Sequence, residues 1–470
     1  MLFGAGKSGS YRRRASPARD LLDLSVSLFR RSCQTTSACA NSRRDRRSFG
    51  EWRPTPSRKR TQLTLIKPFR ALRPAPGRAT EVLAPPYDVL SSAEARDRAK
   101  GRPWSFLHVS KAEIDLDPAT DPHDPAVYAK AAENLRRMIE ARVLVRDLKP
   151  SYYVYRLTWR DRVETGFAAV ASIAAYAENR IRKHELTTPA KEDDRVRQIE
   201  AVNAQTGPVM AAYPDAPGID SLLARAAEAT PAVDVAGDDG VRHQLWVIDD
   251  ETTMAALTHA VDALPALYIA DGHHRSAAAL RVAQARNQKE GYFLAVLLPQ
   301  RDMTILDYNR VLRDLNGRTP EEILREIGAN YAIEPSDGPA PPALADEVGM
   351  FLGGRWRRLA LKPEIAAKFA ESGDPVARLP ITLLAKNVIE PIFGVSDPRR
   401  DKRIEFVGGG RGLGELERLV SSGAFAVAFA LYPTEMRDLM AVADAGQIMP
   451  PKSTWFEPKL ADGMVSHVLD

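Results

Sequence analysis

The order of the apolar segments along the chain is the feature that most constrains its fold. Strand-like segments such as SYYVYRLTW (151–159) and VETGFAAVASIAAY (163–176) are mixed with helical patterns such as AVYAKAAENLRRMIEARVL (126–144). Their order is irregular and lacks the repeated β–α–β alternation of a doubly wound parallel sheet. The sequence therefore predicts an α+β fold, with mixed sheets packed against helices.

Other segments carry weaker signals. SFLHVSKAEIDL (105–116) predicts a strand, and YFLAVLLP (292–299) with TILDYNRVLRDL (304–315) predicts a strand pair. The proline-rich residues 334–347 predict a linker or a long loop. Residues 84–88, with the sequence APPYD, predict a rigid turn, and the alternative is that Tyr87 or Asp88 lies in a pocket. Ser91 and Ser92 with Glu94 predict a helix start.

Charge divides the chain unevenly. Residues 1–62 carry 15 Lys and Arg against 4 Asp and Glu, whereas the rest carries 51 against 57. The first segment has no apolar period, which predicts a disordered basic extension. It is a mitochondrial-type transit peptide, a basic tail for nucleic acid or membranes, or upstream sequence from an over-long gene model, which the Arg- and Ala-rich composition of the entire chain favours. We expect the body to divide into an α+β domain, 63–318, that holds the D-G-H-H-R motif, and a C-terminal α+β region, 319–470.

Composition excludes several classes of protein. The sequence has no run of about 18 apolar residues, so we expect no membrane span. Both cysteines, Cys33 and Cys39, lie in the extension, which excludes a disulfide scaffold, a cysteine zinc site and a thiol nucleophile from the body. The body is mildly acidic, which argues against a nucleic-acid partner. These features favour a cytoplasmic protein.

The segment ALYIADGHHRSAAALRVAQAR (266–286) predicts a strand, a tight turn and a helix. Three basic side chains open this helix, although the first turn of a helix disfavours each exposed cation by about 0.3–1 kcal/mol. Asp271 can cap the helix, but a bound anion would remove the conflict. Gly272 lets a ligand approach the backbone N–H groups, and Arg275 can hold two phosphate oxygens while a histidine donates to a third. We therefore predict a phosphate site.

Two other interpretations of this segment remain open. One is an ordinary capped helix whose histidines are solvated. The other is a metal site, but adjacent helical residues such as His273 and His274 point about 100° apart, whereas zinc ligands on one helix are usually a turn apart. The metal interpretation is the weaker of the two.

The chain resembles the family called domain of unknown function 1015 across residues 64–470, on the motifs YIADGHHR, PFRALRP, APPYDVL, KHELTTPAKEDDR, TGPVM, YNRVLRDL and MPPKSTWFEPKL. The D-G-H-H-R motif also resembles the nucleotide box of free-serine kinases, which phosphorylate L-serine and are similar in fold to the ParB and sulfiredoxin nucleotide-binding domains. Sulfiredoxins carry a cysteine where this chain has His273, so thiol repair is excluded. The resemblance implies a ParB/sulfiredoxin-like region that binds ATP or ADP through Asp271, Gly272, His273, His274 and Arg275.

Phosphoryl transfer to a hydroxyl needs a base, a clamp for the charge and commonly Mg²⁺, which we therefore expect as a second cofactor. The free-serine kinases carry an essential glutamate upstream of their box, and Glu185 in K-H-E is its nearest counterpart here. Lys183 and His184 beside it would bind an anionic substrate or lower the pKa of Glu185. His273 is the second candidate catalytic residue. A solvated charged loop is the alternative for the K-H-E segment.

Together the motifs predict a kinase that moves a phosphoryl group from a nucleotide to a small hydroxylated metabolite, with L-serine as the first candidate. The alternatives are a non-enzymatic nucleotide-binding regulator and a phosphohydrolase. The glycine-rich residues 406–419 match no nucleotide-loop motif and predict a tight connection before a helix. Residues 448–460 either close over a ligand or pack Trp455 and Phe456 against the body. This segment presents Lys452, Ser453, Thr454 and Lys459. The donor nucleotide, the acceptor and the oligomeric state stay open.

Overall fold

The computed structural model describes residues 64–288 and 290–469, and the predicted extension 1–62 lies outside the described residues. In the described part, mixed sheets pack against helices in an irregular order, so the α+β prediction is confirmed. No helix among these residues is long and apolar enough to cross a membrane. The helices are α1 (Ala79–Val82), α2 (Ser92–Ala99), α3 (Leu107–Ser110), α4 (Pro125–Glu140), α5 (Ile173–Ala177), α6 (Pro189–Val202), α7 (Pro217–Ala226), α8 (Glu251–Asp262), α9 (His273–Ala285), α10 (Pro320–Ile327), α11 (Pro363–Glu371), α12 (Pro380–Leu384), α13 (Glu390–Phe393), α14 (Leu413–Ser421) and α15 (Met436–Asp444).

The strands of the described chain form two large sheets and two small ones. They are β1 (Ile66–Lys67), β2 (Ala71–Pro74), β3 (Leu144–Arg146), β4 (Tyr152–Trp159), β5 (Arg162–Ser172), β6 (Ile181–Arg182), β7 (Ala204–Gln205), β8 (Val209–Tyr213), β9 (Val233–Ala236), β10 (Arg242–Ile248), β11 (Leu267–Asp271), β12 (Tyr292–Pro299), β13 (Thr304–Leu306), β14 (Tyr308–Leu312), β15 (Tyr331–Ser336), β16 (Glu347–Leu352), β17 (Arg355–Leu361), β18 (Ile404–Gly408), β19 (Val427–Leu431), β20 (Trp455–Glu457) and β21 (Ser466–Val468).

The first large sheet has the strand order β6, β11, β8, β12, β5, β4, β10 and β9, with β1 paired to the end of β5. β6 runs parallel to β11 and β8 runs parallel to β12, whereas the other neighbours are antiparallel. β4 and β5 form the predicted strand pair, and Arg160 turns between them with a φ of 56°. The strand that carries the start of the D-G-H-H-R motif, β11, lies next to the edge strand β6.

Both faces of the first sheet are buried. Alternate residues of β4 point to opposite faces, so Tyr152 and Val154 join one apolar layer while Tyr153 and Tyr155 join the other. Each such buried ring or aliphatic side chain stabilises the fold by roughly 1.5–3 kcal/mol. Helices α5, α7, α8 and α9 cover the first layer, and α15 together with residues 456–465 covers the second. The last part of the chain therefore completes the core of this sheet.

The second large sheet is antiparallel, with the order β15, β17, β16, β19, β14 and β18. Helices α10, α12 and α13 pack on one face and α14 on the other. Its strand β14 precedes residue 318, and the late strands leave this sheet: β20 pairs with β13, and β21 pairs with β2 and β7. Strands from both sides of residue 318 thus share sheets. That the chain folds as two independent domains divided at residue 318 stays a prediction.

Two strand predictions are wrong. Residues 105–116 form α3 and a 3-10 turn, because their apolar side chains, among them Leu107 and Val109, pack into a helical cluster with α4, and Asn134 of α4 donates to the carbonyl oxygen of His108 at 2.7 Å. The segment after β12 does not pair with it either, because β5 and β8 already occupy both edges of β12. The chain therefore continues into β13 and β14, which pair elsewhere.

Predictions from turn and cap chemistry are confirmed. Ser91 and Glu94 form a reciprocal capping box at the start of α2, as the spacing predicted. The glycine-rich segment is a tight connection between β18 and α14. Residues 334–347 form the end of β15 and a long loop to β16 within one sheet. Local signals were therefore reliable where no distant partner decided the outcome.

Candidate functional site

The D-G-H-H-R motif forms the turn between β11 and α9. Gly272 has a φ of 96°, a conformation that L side chains rarely adopt, and an added Cβ would lie 2.9 Å from Nε of Arg275. The strand therefore delivers Asp271 to the turn, and only glycine lets Arg275 fold back over it. Asp271 does not cap the helix in the way predicted, because its Oδ1 accepts from the N–H of Gly272, at 2.9 Å.

The structure resolves the charge conflict at this helix start without an external anion. Burial lowers the pKa of His273 well below its usual range, and burial with the nearby positive charge of Lys191 lowers the pKa of His274. The Arg275 side chain is 11% exposed and donates to Oδ2 of Asp271 at 3.4 Å and to the carbonyl oxygen of Pro208. The argument from three cations is therefore corrected: one cation is present, and it is already paired.

The backbone N–H groups at the start of α9 are the part of this turn that can still bind an anion. No side chain of the described residues caps the first turn of α9, and Gly272, His273, His274 and Arg275 all line a cavity of about 290 Å³. Uncapped N–H groups at a helix start together with the helix dipole favour an anion. The geometry therefore still supports the predicted phosphate site, but through uncapped backbone N–H groups and not through the three basic side chains that the sequence suggested.

Three other stretches of chain and Tyr308 line the cavity around this turn. The 3-10 turn at Tyr87–Val89 forms one wall, and the segment 449–456 forms another. From α6 and the stretch before it come His184, Glu185 and Lys191. The prediction for 84–88 is therefore met as a turn, yet its last two residues also reach the cavity.

Lys459 is one of three lysines that line the cavity, with Lys191 and Lys452, and like Arg275 it is paired with Asp271. Its Nζ lies 3.4 Å from Oδ2 of Asp271, and although burial opposes the charge, Asp271 and Asp88 raise the pKa of Lys459. Burial likewise opposes ionisation of Asp271, but Lys459 and Arg275 outweigh it and hold the pKa of this carboxyl well below its usual range. Asp271 is thus an ionised carboxylate between two cations.

The segment 449–456 is held in place by the second sheet. Arg310 of β14 is buried and donates to the carbonyl oxygens of Tyr308 at 2.6 Å and Lys452 at 2.8 Å. The Trp455 ring packs edge-on against Tyr308, with centroids 5.4 Å apart. Phe456 is buried in the core of the first sheet. The packing alternative for 448–460 is therefore confirmed. The segment also lines the cavity, and its closure over a ligand stays a prediction.

The candidate catalytic residues lie together. Oε2 of Glu185 is 3.8 Å from Nδ1 of His273, and Nε2 of His273 accepts from the backbone N–H of His184 at 3.5 Å. Partial desolvation and the negative charge of Asp271 raise the pKa of Glu185, which is opposite to the lowering expected from its neighbours. Burial lowers the pKa of His184 to about 4. Both buried histidines are therefore neutral near pH 7.

His184, Glu185 and His273 also form a group whose potential ligand atoms lie within 4.8 Å of one another. Neither ring nitrogen of the buried His184 makes a hydrogen bond of ordinary geometry, although the backbone of Ile269 lies close enough to favour its protonated form. The sequence analysis did not predict this group, because His184 and His273 are far apart in the chain. The adjacent pair His273 and His274 does not form it.

One predicted site residue lies apart from the others. The Nζ of Lys183 packs 4.9 Å above the ring of Tyr176, and Lys183 is not among the residues that line the cavity. The sequence analysis missed Lys191, and it named Lys459 only within the segment 448–460, without a link to the phosphate site. Both lie within quoted motifs, but nothing local connected Lys459 with Asp271.

Comparison with solved structures finds remote likenesses. They include a conserved hypothetical protein from Pyrococcus furiosus (12% identity, 63% of this chain and 93% of that chain, TM-score 0.30). A free serine kinase in complex with AMP matches at 10% identity over 62% of this chain and 86% of that chain, with a TM-score of 0.30. SbnI with a C-terminal truncation, from Staphylococcus aureus, matches at 13% identity over 63% of this chain and 86% of that chain, with a TM-score of 0.32. Scores this low do not establish a shared fold.

No curated protein matches the chain significantly. A family model does: residues 66–382 match the one described as "Protein of unknown function (DUF1015)". This match covers well over half of the chain and includes β11, the turn at Gly272 and the K-H-E segment. The chain therefore belongs to the DUF1015 family.

Proposed function

We propose that this protein is a phosphotransferase that moves a phosphoryl group from a nucleotide, ATP or ADP, to the hydroxyl of a small metabolite, with L-serine as the first candidate. The observation that carries the proposal is the meeting of three features in one cavity: the uncapped start of α9, the partly buried cation Lys459 and the carboxylate of Glu185. The resemblance of the D-G-H-H-R motif to the nucleotide box of free-serine kinases supports it. On the same ground we propose that the first sheet contains a ParB/sulfiredoxin-like nucleotide-binding region.

Each group has a role in the proposed transfer. The N–H groups of α9 and the ammonium of Lys459 bind the phosphates and offset their charge. Glu185 takes the proton of the acceptor hydroxyl, the hydroxyl oxygen attacks the terminal phosphorus, and the bond from that phosphorus to the nucleotide oxygen breaks. The raised pKa of Glu185 suits a base that works near neutral pH.

His273 orients the base in this proposal. Because its Nε2 accepts from the backbone of His184, the proton of the neutral ring is on Nδ1, the nitrogen that faces Glu185. Arg275 has a different role from the one that its sequence position suggested. It fixes the turn and the carboxylate of Asp271, and its hydrogen bonds are made within the protein.

The expected Mg²⁺ does not fit the group formed by His184, Glu185 and His273. Mg²⁺ prefers oxygen ligands in octahedral geometry, and this group offers two imidazole nitrogens and one carboxylate. No step of the proposed transfer is therefore assigned to a metal held by these three residues.

The test is the substitution Glu185→Gln in the full-length protein, which keeps the shape of the side chain and removes the base. We expect turnover with ATP or ADP and a panel of hydroxy amino acids to fall by about 10²–10⁴-fold, with nucleotide affinity nearly unchanged. Glu200→Gln, on the exposed side of α6, is the matched control and should leave both quantities unchanged. Full turnover in Glu185→Gln would remove the base assignment.

The same assay separates the alternatives. Formation of a phosphate ester supports the kinase. Nucleotide binding without turnover supports a regulator, and release of inorganic phosphate alone supports a phosphohydrolase.

A further inference from the structure

A second cavity adjoins the candidate site and has no role in the transfer as proposed. Its volume is about 490 Å³, which is larger than the phosphate cavity and within the range of about 300–1,000 Å³ that is typical of small-molecule sites. It lies between the stretch that includes α1 and α2 on one side and the β9–β10 turn on the other.

The two cavities share a wall and a cation. Ala84, Pro85 and Pro86 line the second cavity, and the next three residues, Tyr87–Val89, line the first. Lys459 lines both. The two cavities therefore lie side by side at Lys459, and an anion bound at its ammonium is a neighbour of both.

The lining of the second cavity suits an aromatic or apolar group. Leu83, Trp104 and Leu107 supply apolar side chains. The Arg137 guanidinium lies over the Trp104 ring, 5.4 Å from its centroid, and the indole also lines the cavity with aromatic surface. His243, also in the lining, is buried, and burial lowers its pKa to about 4, so it adds no charge near pH 7. Polar and charged side chains line the rest of the cavity, among them Arg102, Asp238 and Asp239. Arg102 and Asp238 pair with each other at 2.6 Å, whereas Asp239 can accept hydrogen bonds from hydroxyl or amine groups of a ligand.

We propose that the second cavity binds the aromatic or apolar body of a ligand whose phosphate lies at Lys459. This inference rests on the phosphate site of the proposed function and adds the chemical class of what extends from it. Serine has no such body, so the occupant is either the nucleoside of the donor or the body of an acceptor larger than serine. Both sources share the same chemistry, a phosphate ester with a ring or apolar group.

The probes are phenyl phosphate and inorganic phosphate, with binding to the full-length protein measured by calorimetry. We expect phenyl phosphate to bind about tenfold or more tightly, because its ring is removed from water in the second cavity. Leu83→Trp fills the cavity and should abolish this advantage while leaving inorganic phosphate affinity unchanged. Leu148→Trp, at a side chain that is 89% exposed, is the matched control and should keep the advantage.

A second variant, Trp104→Leu, guards against misfolding of Leu83→Trp, and it should reduce the advantage by removing the aromatic surface. ADP identifies the source of the body: if Leu83→Trp also weakens ADP, the cavity binds the donor nucleoside, and if it weakens only phenyl phosphate, the cavity binds the acceptor. Equal affinity for both phosphates in the parent protein, with ADP still bound, overturns this inference and leaves the proposed function intact. If the parent protein binds none of the three probes, the proposed phosphate site fails as well.

Discussion

Two turns of this protein share one local design but differ in everything around it. β11 leads through Gly272 into α9, and β18 leads through a glycine-rich turn ending at Gly412 into α14. In both, the residue that precedes the helix is a glycine with positive φ, 96° at Gly272 and 70° at Gly412, and no side chain of the described residues caps the helix. Only the first turn lines the candidate site.

The difference lies in the arginine beside each turn. Arg275 is 11% exposed and donates to Asp271 and Pro208, whereas Arg411 is 74% exposed and lies 3.9 Å from Glu415. A Cβ at Gly272 would meet the Arg275 side chain, while a Cβ at Gly412 would meet no atom within 4 Å. A strand, a glycine and a helix start thus do not form a site by themselves. At the turn of Gly272, segments from elsewhere in the chain enclose the turn and add charged side chains.

Removal of the arginine should give the largest difference in stability between the two turns. Arg275→Ala leaves the carbonyl of Pro208 without that donor and Asp271 with one cation fewer, so we expect the free energy of unfolding to fall by about 3 kcal/mol and nucleotide affinity to fall with it. Arg411→Ala removes an exposed ion pair and should change stability by about 0.5 kcal/mol or less. Denaturant unfolding of both variants measures the contrast. Similar stabilities would show that the burial of Arg275 contributes little.

Replacing each of the two glycines with alanine distinguishes the cost of backbone strain, which both turns should show, from an effect on ligand binding, which only the first should show. Both Gly272→Ala and Gly412→Ala place a side chain at positive φ and should each cost about 1–3 kcal/mol. Only Gly272→Ala should also weaken nucleotide binding, because the new methyl group displaces the Arg275 side chain. The readouts are melting temperature and calorimetric affinity, and equal affinity losses in the two variants would contradict the assignment of the site to the first turn.

Low pH should destabilise the protein around the first turn, where His184 contacts His273, and should have no such effect at the second turn. Buried His184, with a pKa lowered to about 4, is neutral in the folded protein, whereas in the unfolded chain it titrates near pH 6.5. Between pH 4 and 6.5 the unfolded state therefore binds more protons than the folded state. The contribution of neutral His184 to the free energy of unfolding is fully present above pH 6.5 and is lost as the pH falls toward 4. His184→Gln should flatten the decline of melting temperature between pH 7 and 5. An unchanged slope would show that His184 does not contribute to it.

The parts of the site that local sequence determines were predictable. The turn at Gly272 and the capping box at Ser91 follow from residue types whose backbone preferences or side-chain hydrogen bonds act over a few positions. The α+β class follows from the order of apolar segments. These features need no knowledge of distant contacts, so the sequence analysis found them.

Other parts depend on contacts between residues far apart in the chain. The sequence shows His273 and His274 as potential cations, and burial by remote segments lowers the pKa of both and so favours their neutral forms. Lys459 joins Asp271 because residues 456–465 pack on the first sheet. The strand predicted at 105–116 is helical for the same kind of reason, since α4 supplies the surface on which it packs.

The return of the last residues to the first sheet has a consequence for biosynthesis. β21 pairs with β2 and β7, and residues 456–465 complete the apolar layer on one face of the sheet. A nascent chain that has emerged only as far as the second sheet still exposes that layer to solvent and lacks Lys459, although all strands of the first large sheet are already made. The ligand binding that we propose for this site can therefore begin only when synthesis has passed residue 459.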